Sequence, residues 1–420
     1  MGMTITEKIF ARASGHKTVT PGQLVDARID LVMCHDVTTP PAISMLKAKG
    51  LDRVFDRDRI VVTPDHFQPP KDIKSAELHK RLDEWARRHE ITWYYKLGRA
   101  GVCHALLPEQ GHIRPGELIV GGDSHTCTYG AFGAFSSGIG STDLAAAVAT
   151  GKLWFKVPAS MKFVLNGTLG PGVYSKDVML TVIGRIGTDG ALYRAMEFVG
   201  PVLAQMSMEA RMVLPNMAIE AGAKNGIIAC DEVTKEYLDG RLKDTRPYTV
   251  FESDPDAEYY SVDEFDCSQI EPVVALPHLP SNTVPVRERE GEAMDQAYLG
   301  SCTNGRIEDY RIAAGIIKGK EVKIRTMIVP ATPTVWRQAN DEGLWDIFYD
   351  AGCVISAPTC GACLGGFMGV LAEGEKCISS TNRNFVGRMG HPKSMVYLAN
   401  PATVAASAVE GKLTDPRKYL

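Results

Sequence analysis

The sequence predicts an α/β protein whose sheets are mainly parallel and whose helices pack outside them. Short apolar runs typical of strands alternate with longer stretches in which apolar residues recur at a spacing of three to four. Such alternation favours parallel sheets with helices on their faces. In sheets of this kind ligands bind beyond the carboxyl ends of the strands, so the polar loops that follow the strands become the candidate site.

The first third of the chain repeats the order strand, polar loop, helix. Residues 74–90 have a helical pattern, with two leucines and a tryptophan on one face. Residues 141–155 are also predicted as a helix, with Ser141 as the N-cap and Asp143 in the first turn. The strand candidates of this part, each followed by a polar loop, are residues 31–33, 59–64 and 118–120.

Three units of this style are predicted, at residues 1–160, 161–280 and 281–420, because 420 residues are too many for one ordinary core. In the second unit residues 162–165 indicate a strand and residues 176–186 a helix. The acidic and proline-containing residues from about 252 to 292 are typical of a linker. The third unit has strand candidates at residues 297–299, 323–329, 353–356, 376–379 and 395–398, and helix candidates at residues 306–318 and 401–411.

Composition and charge argue against several classes of protein. Hydrophobic residues make up 45% and charged residues 23% of the chain, a mixture typical of soluble globular proteins. The net charge of −4 gives no overall attraction for nucleic acid or anionic lipid. The N-terminus lacks the pattern of a signal peptide, and no apolar run approaches the roughly 18 residues that a membrane helix needs. We therefore expect a cytoplasmic protein with no membrane or nucleic-acid partner.

Three of the ten cysteines are distinguished by their positions after apolar strand candidates. Cys360 and Cys363 form a C-x-x-C pair, and Cys302 lies alone in the small-residue turn from Gly300 to Asn304. Three thiolates that converge from two loops can hold a metal and leave one coordination position open. Small residues let backbone amides approach sulfur, and hydrogen bonds to sulfur tune iron–sulfur clusters.

The C-x-x-C pair alone leaves other interpretations open. The motif is also typical of thioredoxin-like redox proteins, in which a helix N-terminus lowers the pKa of one thiol. A zinc site would need a fourth ligand, for which Cys353, Cys377 and His391 are candidates. Two buried cysteines beside a turn, without any metal, are the plain structural alternative.

Two acid–histidine pairs follow strand candidates of the first unit. Asp65 precedes His66, and Asp123 and Ser124 precede His125. A carboxylate that orients an imidazole makes the histidine a usable general acid or base. One such pair is often only a satisfied strand end, but two pairs in equivalent loops favour catalysis.

A loop near the end of the chain carries Asn382, Arg383 and Arg388. Guanidinium groups bind carboxylates through two parallel hydrogen bonds, so the two arginines are candidates for holding an acidic substrate. The alternative is an ordinary basic surface loop. His104 is a weaker candidate, because a single histidine is more often structural. No complete G-x-G-x-x-G or P-loop pattern occurs, so nucleotide binding has no support.

Six motifs, taken together and in this order, resemble those of the aconitase superfamily. The resemblance extends from about residue 5 to residue 420 and is far more specific than any one motif. The motifs are Pro-Asp-His, Gly-Asp-Ser-His-Thr, Asn-Met-x-x-Glu-x-Gly-Ala, Gly-Ser-Cys-Thr-Asn, Cys-Gly-Ala-Cys and Arg-Asn-Phe-x-Gly-Arg.

The resemblance implies three aconitase-type α/β domains around a central 4Fe–4S cluster. Cys302, Cys360 and Cys363 match the cluster cysteines of the superfamily, in which one iron has no protein ligand and binds the substrate. Asp65 and His66 match the pair that protonates the leaving hydroxyl group. The other matched positions are a second active-site histidine and its carboxylate partner, His125 and Glu220; further active-site residues, His104, Asp123, Ser124 and Asn216; an asparagine beside the cluster, Asn382; and the substrate-binding arginines, Arg383 and Arg388.

The implied activity is that of a hydro-lyase acting on a small 2-hydroxy di- or tricarboxylic acid. Aconitases continue into a swivelling fourth domain that carries the catalytic serine base, and we expect this domain to be absent from the chain. In the isopropylmalate and homoaconitate branches of the superfamily it is a separate small subunit. The sequence resembles the large subunit of such a heterodimer or heterotetramer, and we expect the isopropylmalate branch first.

Overall fold

Strands and helices alternate along most of the chain in a computed structural model that describes residues 2–420. The strands are β1 (Leu24–Arg28), β2 (Leu31–Cys34), β3 (Ile60–Val62), β4 (Trp93–Tyr94), β5 (Leu118–Gly121), β6 (Phe135–Gly138), β7 (Lys152–Lys156), β8 (Ser160–Asn166), β9 (Ala195–Val199), β10 (Asn225–Ile227), β11 (Ser261–Asp266), β12 (Val273–Ala275), β13 (Thr283–Pro285), β14 (Gln296–Gly300), β15 (Arg325–Val329), β16 (Val354–Ile355), β17 (Lys376–Ser379) and β18 (Met395–Ala399).

The helices between these strands are mostly short. They are α1 (Ile5–Ser14), α2 (Thr39–Ala48), α3 (Ile73–Arg88), α4 (Cys103–Glu109), α5 (Ser141–Thr150), α6 (Ser175–Ile186), α7 (Met208–Ala218), α8 (Glu232–Leu238), α9 (Ser301–Asn304), α10 (Ile307–Ile317), α11 (Pro333–Asp341), α12 (Leu344–Asp350) and α13 (Pro401–Glu410). None of the helices within residues 2–420 combines the length and the apolar character that crossing a membrane requires.

The predicted class, α/β with mainly parallel sheets, is confirmed. One sheet has the order β4-β3-β2-β5-β6 and another β10-β9-β8-β11, and both are entirely parallel. A larger sheet has the order β13-β12-β18-β17-β14-β15-β16, in which only β12 runs antiparallel to its neighbours. β1 and β7 form a separate antiparallel pair.

The three larger sheets draw on successive parts of the chain, from residues 31–138, 160–266 and 273–399. The second and third of these sheets share one apolar core, in which Phe163 and Met179 belong to the same cluster as Tyr298 and Met327. The division into domains at residues 160 and 280 stays a prediction.

The predicted helix over residues 141–155 is wrong in its second half. α5 ends at Thr150 because Gly151 takes a left-handed conformation, with φ 66°, and residues 152–156 form β7. The alternating pattern Lys-Leu-Trp-Phe-Lys, half-buried at every second position, is that of a strand. The N-cap is Gly140, whereas Ser141 is already the first helical residue.

The predicted linker at residues 252–292 is also wrong. β11 pairs with β8 along its whole length, and β12 and β13 belong to the seven-stranded sheet. β11 lies at the edge of its sheet and exposes alternate residues, so its acidic composition resembled that of a loop. Its pairing is set by β8, about 100 residues earlier.

The carboxyl ends of several strands are followed by the residues that the sequence marks as functional. These strand ends belong to both the first and the seven-stranded sheet, so the fold carries the candidate site where parallel sheets place ligands. β2 leads to Asp36, β3 to Asp65 and His66, β5 to Asp123, β14 to Cys302 and β17 to Asn382.

Candidate active site

The residues that the sequence singles out for chemistry lie together in one cluster of contacts. Asn216 and Glu220 reach this cluster from the end of α7 and the turn that follows it. The functional roles of its members stay predictions. The cluster contains Asp65, His66, His104, Asp123, Ser124, His125, Asn216, Glu220, Cys302, Cys360, Cys363, Asn382, Arg383 and Arg388.

Asp65 and His66 form a buried pair beyond β3. Nδ1 of His66 lies 2.6 Å from Oδ1 of Asp65, whose other oxygen accepts the backbone N–H of Cys103 at 2.9 Å. Nε2 therefore remains to face a ligand, and it lies 3.6 Å from Oδ2 of Asp123. Burial alone would lower the pKa of His66, but the charge of Asp65 and hydrogen bonds to neighbouring carboxylates raise it well above the usual 6.5. The raised pKa favours the protonated form of His66.

Asp123 connects three histidines. Its Oδ1 lies 2.9 Å from Nε2 of His104 and accepts the backbone N–H of His125 at 2.7 Å. Burial would raise the pKa of Asp123, but the adjacent imidazoles of His104, His125 and His66 hold it well below its usual range. For His104 the effect of burial is larger than that of the hydrogen bond to Asp123, so its pKa is lowered from 6.5. The shifts favour an anionic Asp123 between His66, whose pKa is raised, and His104, whose pKa is lowered.

Glu220 links His125 to Arg383. Its Oε1 lies 2.9 Å from Nε2 of His125 and accepts the Nε–H of Arg383 at 2.7 Å. Burial and the charge of Arg383 would lower the pKa of His125, but hydrogen bonds to Asp123 and Glu220 raise it above 6.5. Within residues 2–420 the two Nη groups of Arg383 make no hydrogen bond, so they are free to bind a carboxylate. Ser124 lies beside this group, with Oγ 3.5 Å from Nδ1 of His125.

Replacing Glu220 by glutamine is expected to lower the free energy of unfolding by about 3 kcal/mol at pH 7, because it leaves Arg383 and His125 without their buried anion. The shift of the urea midpoint measures the effect. The matched control is Glu90→Gln, which removes the anion of the exposed pair with Arg57 and should cost less than about 1 kcal/mol. Equal midpoints for the two variants would contradict a structural role of the Glu220 contacts.

The three candidate metal-binding cysteines lie on two short turns. β14 ends at Gly300, Ser301 takes a left-handed φ of 80°, and Cys302 follows in the single turn of α9. Cys360 and Cys363 enclose Gly361, whose φ is 64°. A Cβ atom on Gly361 would lie 2.2 Å from the hydroxyl oxygen of Tyr298, so only glycine fits there.

Side-chain amides, rather than the expected backbone amides, donate to the sulfur of Cys302. Nδ2 of Asn216 lies 3.2 Å and Nδ2 of Asn382 lies 3.1 Å from this sulfur. Oδ1 of Asn382 lies 3.7 Å from the sulfur of Cys363, and Nη2 of Arg388 lies 3.9 Å from the same sulfur. A hydrogen bond from the thiol of Cys360, together with the charge of Arg388, lowers the pKa of Cys363. The turns therefore favour thiolate at Cys363.

The donor set fits an iron–sulfur cluster better than a single zinc ion. The cysteines are buried and free of disulfides. Within residues 2–420 one group of possible metal ligands has all its ligand atoms within 4.8 Å of one another, and it consists of His35, Asp36, Asp65 and His66. The three cysteines do not form such a group, so at least two of their sulfur atoms are more than 4.8 Å apart. A zinc ion with Zn–S bonds of about 2.3 Å would hold its sulfurs within about 4 Å.

Several buried polar residues of the site were not predicted. His35 stacks on His66 with ring centroids 4.6 Å apart, and Asp36 accepts backbone N–H groups of the Asp65–His66 turn. The ammonium group of Lys176 donates to the carbonyl oxygens of Ser380 and Thr381, both at 2.5 Å. The signal for His35 and Asp36 was present, since they too form a His–Asp pair directly after a strand. No local signal marks Lys176, which lies in an ordinary helical pattern.

A groove of about 810 Å³ lies outside this cluster. It runs between the loop that contains Leu97 and the helix that carries Trp336 and Arg337. Gln68 and Pro358 form part of its wall, but no predicted site residue lines it. The polar cluster is therefore identified by its chemistry rather than by the size of a cavity.

Comparison with known proteins finds relatives over nearly the whole chain. A family model described as the aconitase family (aconitate hydratase) matches residues 7–295 and 288–411. A protein of Aquifex aeolicus named 3-isopropylmalate dehydratase large subunit is 58% identical over 423 residues, which cover 99% of this chain and 97% of that one. Proteins of the same name from Syntrophus aciditrophicus and Halothermothrix orenii are 56% and 57% identical, with 99% or more of each chain covered.

The fold is shared with a protein of known structure. The crystal structure of Thermococcus kodakaraensis aconitase X in its holo form has a TM-score of 0.52 with this chain. The match covers 87% of this chain and 85% of the aconitase X chain. At 12% identity this likeness supports the fold alone. The family model and the full-length relatives show that the chain belongs to the aconitase family.

Proposed function

We propose that this chain is the large subunit of a 3-isopropylmalate dehydratase, a hydro-lyase of leucine biosynthesis. The enzyme interconverts 2-isopropylmalate and 3-isopropylmalate through isopropylmaleate. The observation that carries the proposal is identity of 54–58% over the full length with several large subunits of that name. The site supports it, because protonated histidine, free guanidinium and clustered thiols suit dehydration of a 2-hydroxy dicarboxylic acid.

Membership of the aconitase family implies a 4Fe–4S cluster. We propose that Cys302, Cys360 and Cys363 hold it and that one of its irons has no protein ligand. When bound, the cluster supplies a Lewis-acidic iron that polarises the hydroxyl group of the substrate. The amides of Asn216 and Asn382 stabilise negative charge on the sulfur of Cys302.

His66 is the proposed acid that protonates the departing hydroxyl oxygen. Its Nδ1 is held by Asp65, so the proton leaves from Nε2, and the raised pKa keeps that proton in place at neutral pH. Asp65 and Asp123 stabilise the imidazolium before transfer and orient its ring. His104, on the other oxygen of Asp123, holds that carboxylate in position.

Two arginines are proposed to bind the carboxylates of the substrate. Arg383 is fixed through its Nε by Glu220, which leaves its two Nη groups directed away from that contact. Arg388 lies beside Cys363 and carries a charge close to the cluster cysteines. Both guanidinium groups stabilise the negative charge that develops on a substrate carboxylate as the C–H proton leaves.

A small subunit that carries the swivelling domain is proposed to complete the enzyme, as a heterodimer or heterotetramer. The name of the relatives, large subunit, supports such a partner. We propose that this partner supplies the base that removes the C–H proton. The cluster-bearing chain alone is therefore expected to bind substrate without turning it over.

The test is anaerobic purification of the chain with its small subunit, followed by hydration assays on isopropylmaleate, homoaconitate and citraconate. We expect turnover of isopropylmaleate by the complex and none by either chain alone. Good turnover of homoaconitate without turnover of isopropylmaleate would identify a homoaconitase instead. Full activity of the large chain alone would contradict the role proposed for the partner.

A further inference from the structure

Asp36 is a fully buried carboxylate directly after β2, close to the proposed acid but without an assigned role. We propose that Asp36, supported by His79, is a positioning residue that fixes the turn carrying Asp65 and His66. The inference rests on the proposed function only in naming the step that the turn serves. The contacts themselves belong to the fold.

The carboxylate of Asp36 accepts hydrogen bonds from three consecutive backbone N–H groups. Oδ1 accepts those of Asp65 and His66, both at 3.2 Å, and Oδ2 accepts that of Phe67 at 2.9 Å. These residues lie beyond the end of β3, where the sheet offers no partner to their amides. The side chain of Asp36 therefore replaces the backbone hydrogen bonds that a neighbouring strand would give to these three amides.

The opposite side of the turn is held by the loop of the cluster cysteines. The backbone N–H of Cys360 donates to the carbonyl oxygen of Asp65 at 2.9 Å, and Oγ1 of Thr359 donates to the same oxygen at 3.1 Å. The turn is thus fixed between Asp36 on its amides and the cysteine loop on a carbonyl. A shift of Asp36 would move the imidazole of His66 relative to the cluster cysteines.

His79 holds Asp36 from the far side. It lies on α3, and its Nε2 is 2.9 Å from Oδ2 of Asp36. An ionised carboxylate only accepts, so this nitrogen carries the proton. Within residues 2–420 His79 makes no hydrogen bond to any of the predicted site residues. Its hydrogen bond to Asp36 is therefore the route by which it can affect the reaction.

The other titratable groups that face Asp36 are two histidines and one carboxyl group. The Nδ1 atoms of His35 and His66 each lie 3.7 Å from Oδ1 of Asp36, too far for strong hydrogen bonds, and Asp65 follows on the adjacent turn. The direct bonds of Asp36 are to backbone amides and to His79. Its direct contacts are those of a residue that holds the backbone turn, and its carboxylate also helps to raise the pKa of His66.

The test compares four variants of the complete complex: Asp36→Asn, His79→Leu, His79→Gln and the control Lys80→Leu, which changes an exposed residue of the same helix. We expect Asp36→Asn to lower kcat about 10- to 100-fold with KM within about threefold, since the acid is misplaced but the arginines still bind substrate. His79→Leu should lower kcat less, and His79→Gln, which keeps a donor, should restore most of the rate. Lys80→Leu should match the wild type.

Amide hydrogen exchange of the peptide covering residues 64–68 gives a readout that does not depend on activity. We expect about tenfold faster exchange in Asp36→Asn and His79→Leu, and wild-type exchange in His79→Gln. Unchanged exchange in both former variants would overturn the proposal, as would a kcat that is the same in His79→Leu and His79→Gln. A wild-type complex inactive on isopropylmaleate would speak against the proposed function, while the exchange experiment would still decide the role of Asp36.

Discussion

Replacing Cys302 by serine is expected to remove the broad visible absorption of the cluster and to lower the rate of isopropylmaleate hydration at least about a thousandfold. This factor corresponds to about 4 kcal/mol of transition-state stabilisation. The serine hydroxyl stays protonated at neutral pH, so the amides of Asn216 and Asn382 would face a neutral oxygen in place of a thiolate. The absorption spectrum, the iron content and the rate of the anaerobic complex measure the result.

The matched control is Cys353→Ser. Cys353 is also buried, but it packs in the apolar core around Phe348 and Ala351. Burial raises the pKa of its thiol to about 12, so it is a neutral apolar group at neutral pH. The variant should keep the spectrum and the rate. An unchanged spectrum in Cys302→Ser, or zinc in place of iron in the wild type, would contradict the cluster assignment.

The parts of the site that the sequence predicted are those with a local signal. Asp65 and His66 stand directly after an apolar run, and so does the Asp123 turn. Cys360 and Cys363 are recognised by their C-x-x-C spacing. Glu220 and Asn216 carry no such signal, and only the order of family motifs indicated them. In the fold Glu220 contacts His125, which lies 95 residues earlier in the chain, as the resemblance implied, while the functional roles of both stay predictions.

The parts that the sequence did not predict depend on tertiary contacts. His79 is a buried residue of a helix whose sequence pattern gives it no special role, and its partner Asp36 is 43 residues away. Strand β11 looks like a linker because it lies at a sheet edge, where polar residues are tolerated, and only its pairing with β8 makes it a strand. In both cases the deciding interaction is formed by segments that are not adjacent in sequence.

Replacing His66 by asparagine tests the acid directly. We expect kcat to fall by about 10² to 10⁴, the contribution typical of general acid catalysis, while the cluster absorption is retained. The matched control is His112→Asn, because His112 is also a buried histidine but contacts Tyr95 outside the site, and burial lowers its pKa to about 3. The control should keep the rate, apart from the effect of a small loss of stability.

The pH dependence of the rate gives a second test of His66 as the acid. The pKa of His66 is raised above 6.5 by Asp65 and the neighbouring carboxylates, so the protonated acid is present at neutral pH and is lost only as the pH rises through that higher value. The rate of the wild-type complex in the dehydration direction should therefore have an alkaline limb above pH 6.5. That limb should disappear in His66→Asn, which carries no titrating group there. If the limb persists in the variant, another group supplies the proton, and His125, whose pKa is also raised above 6.5, becomes the candidate.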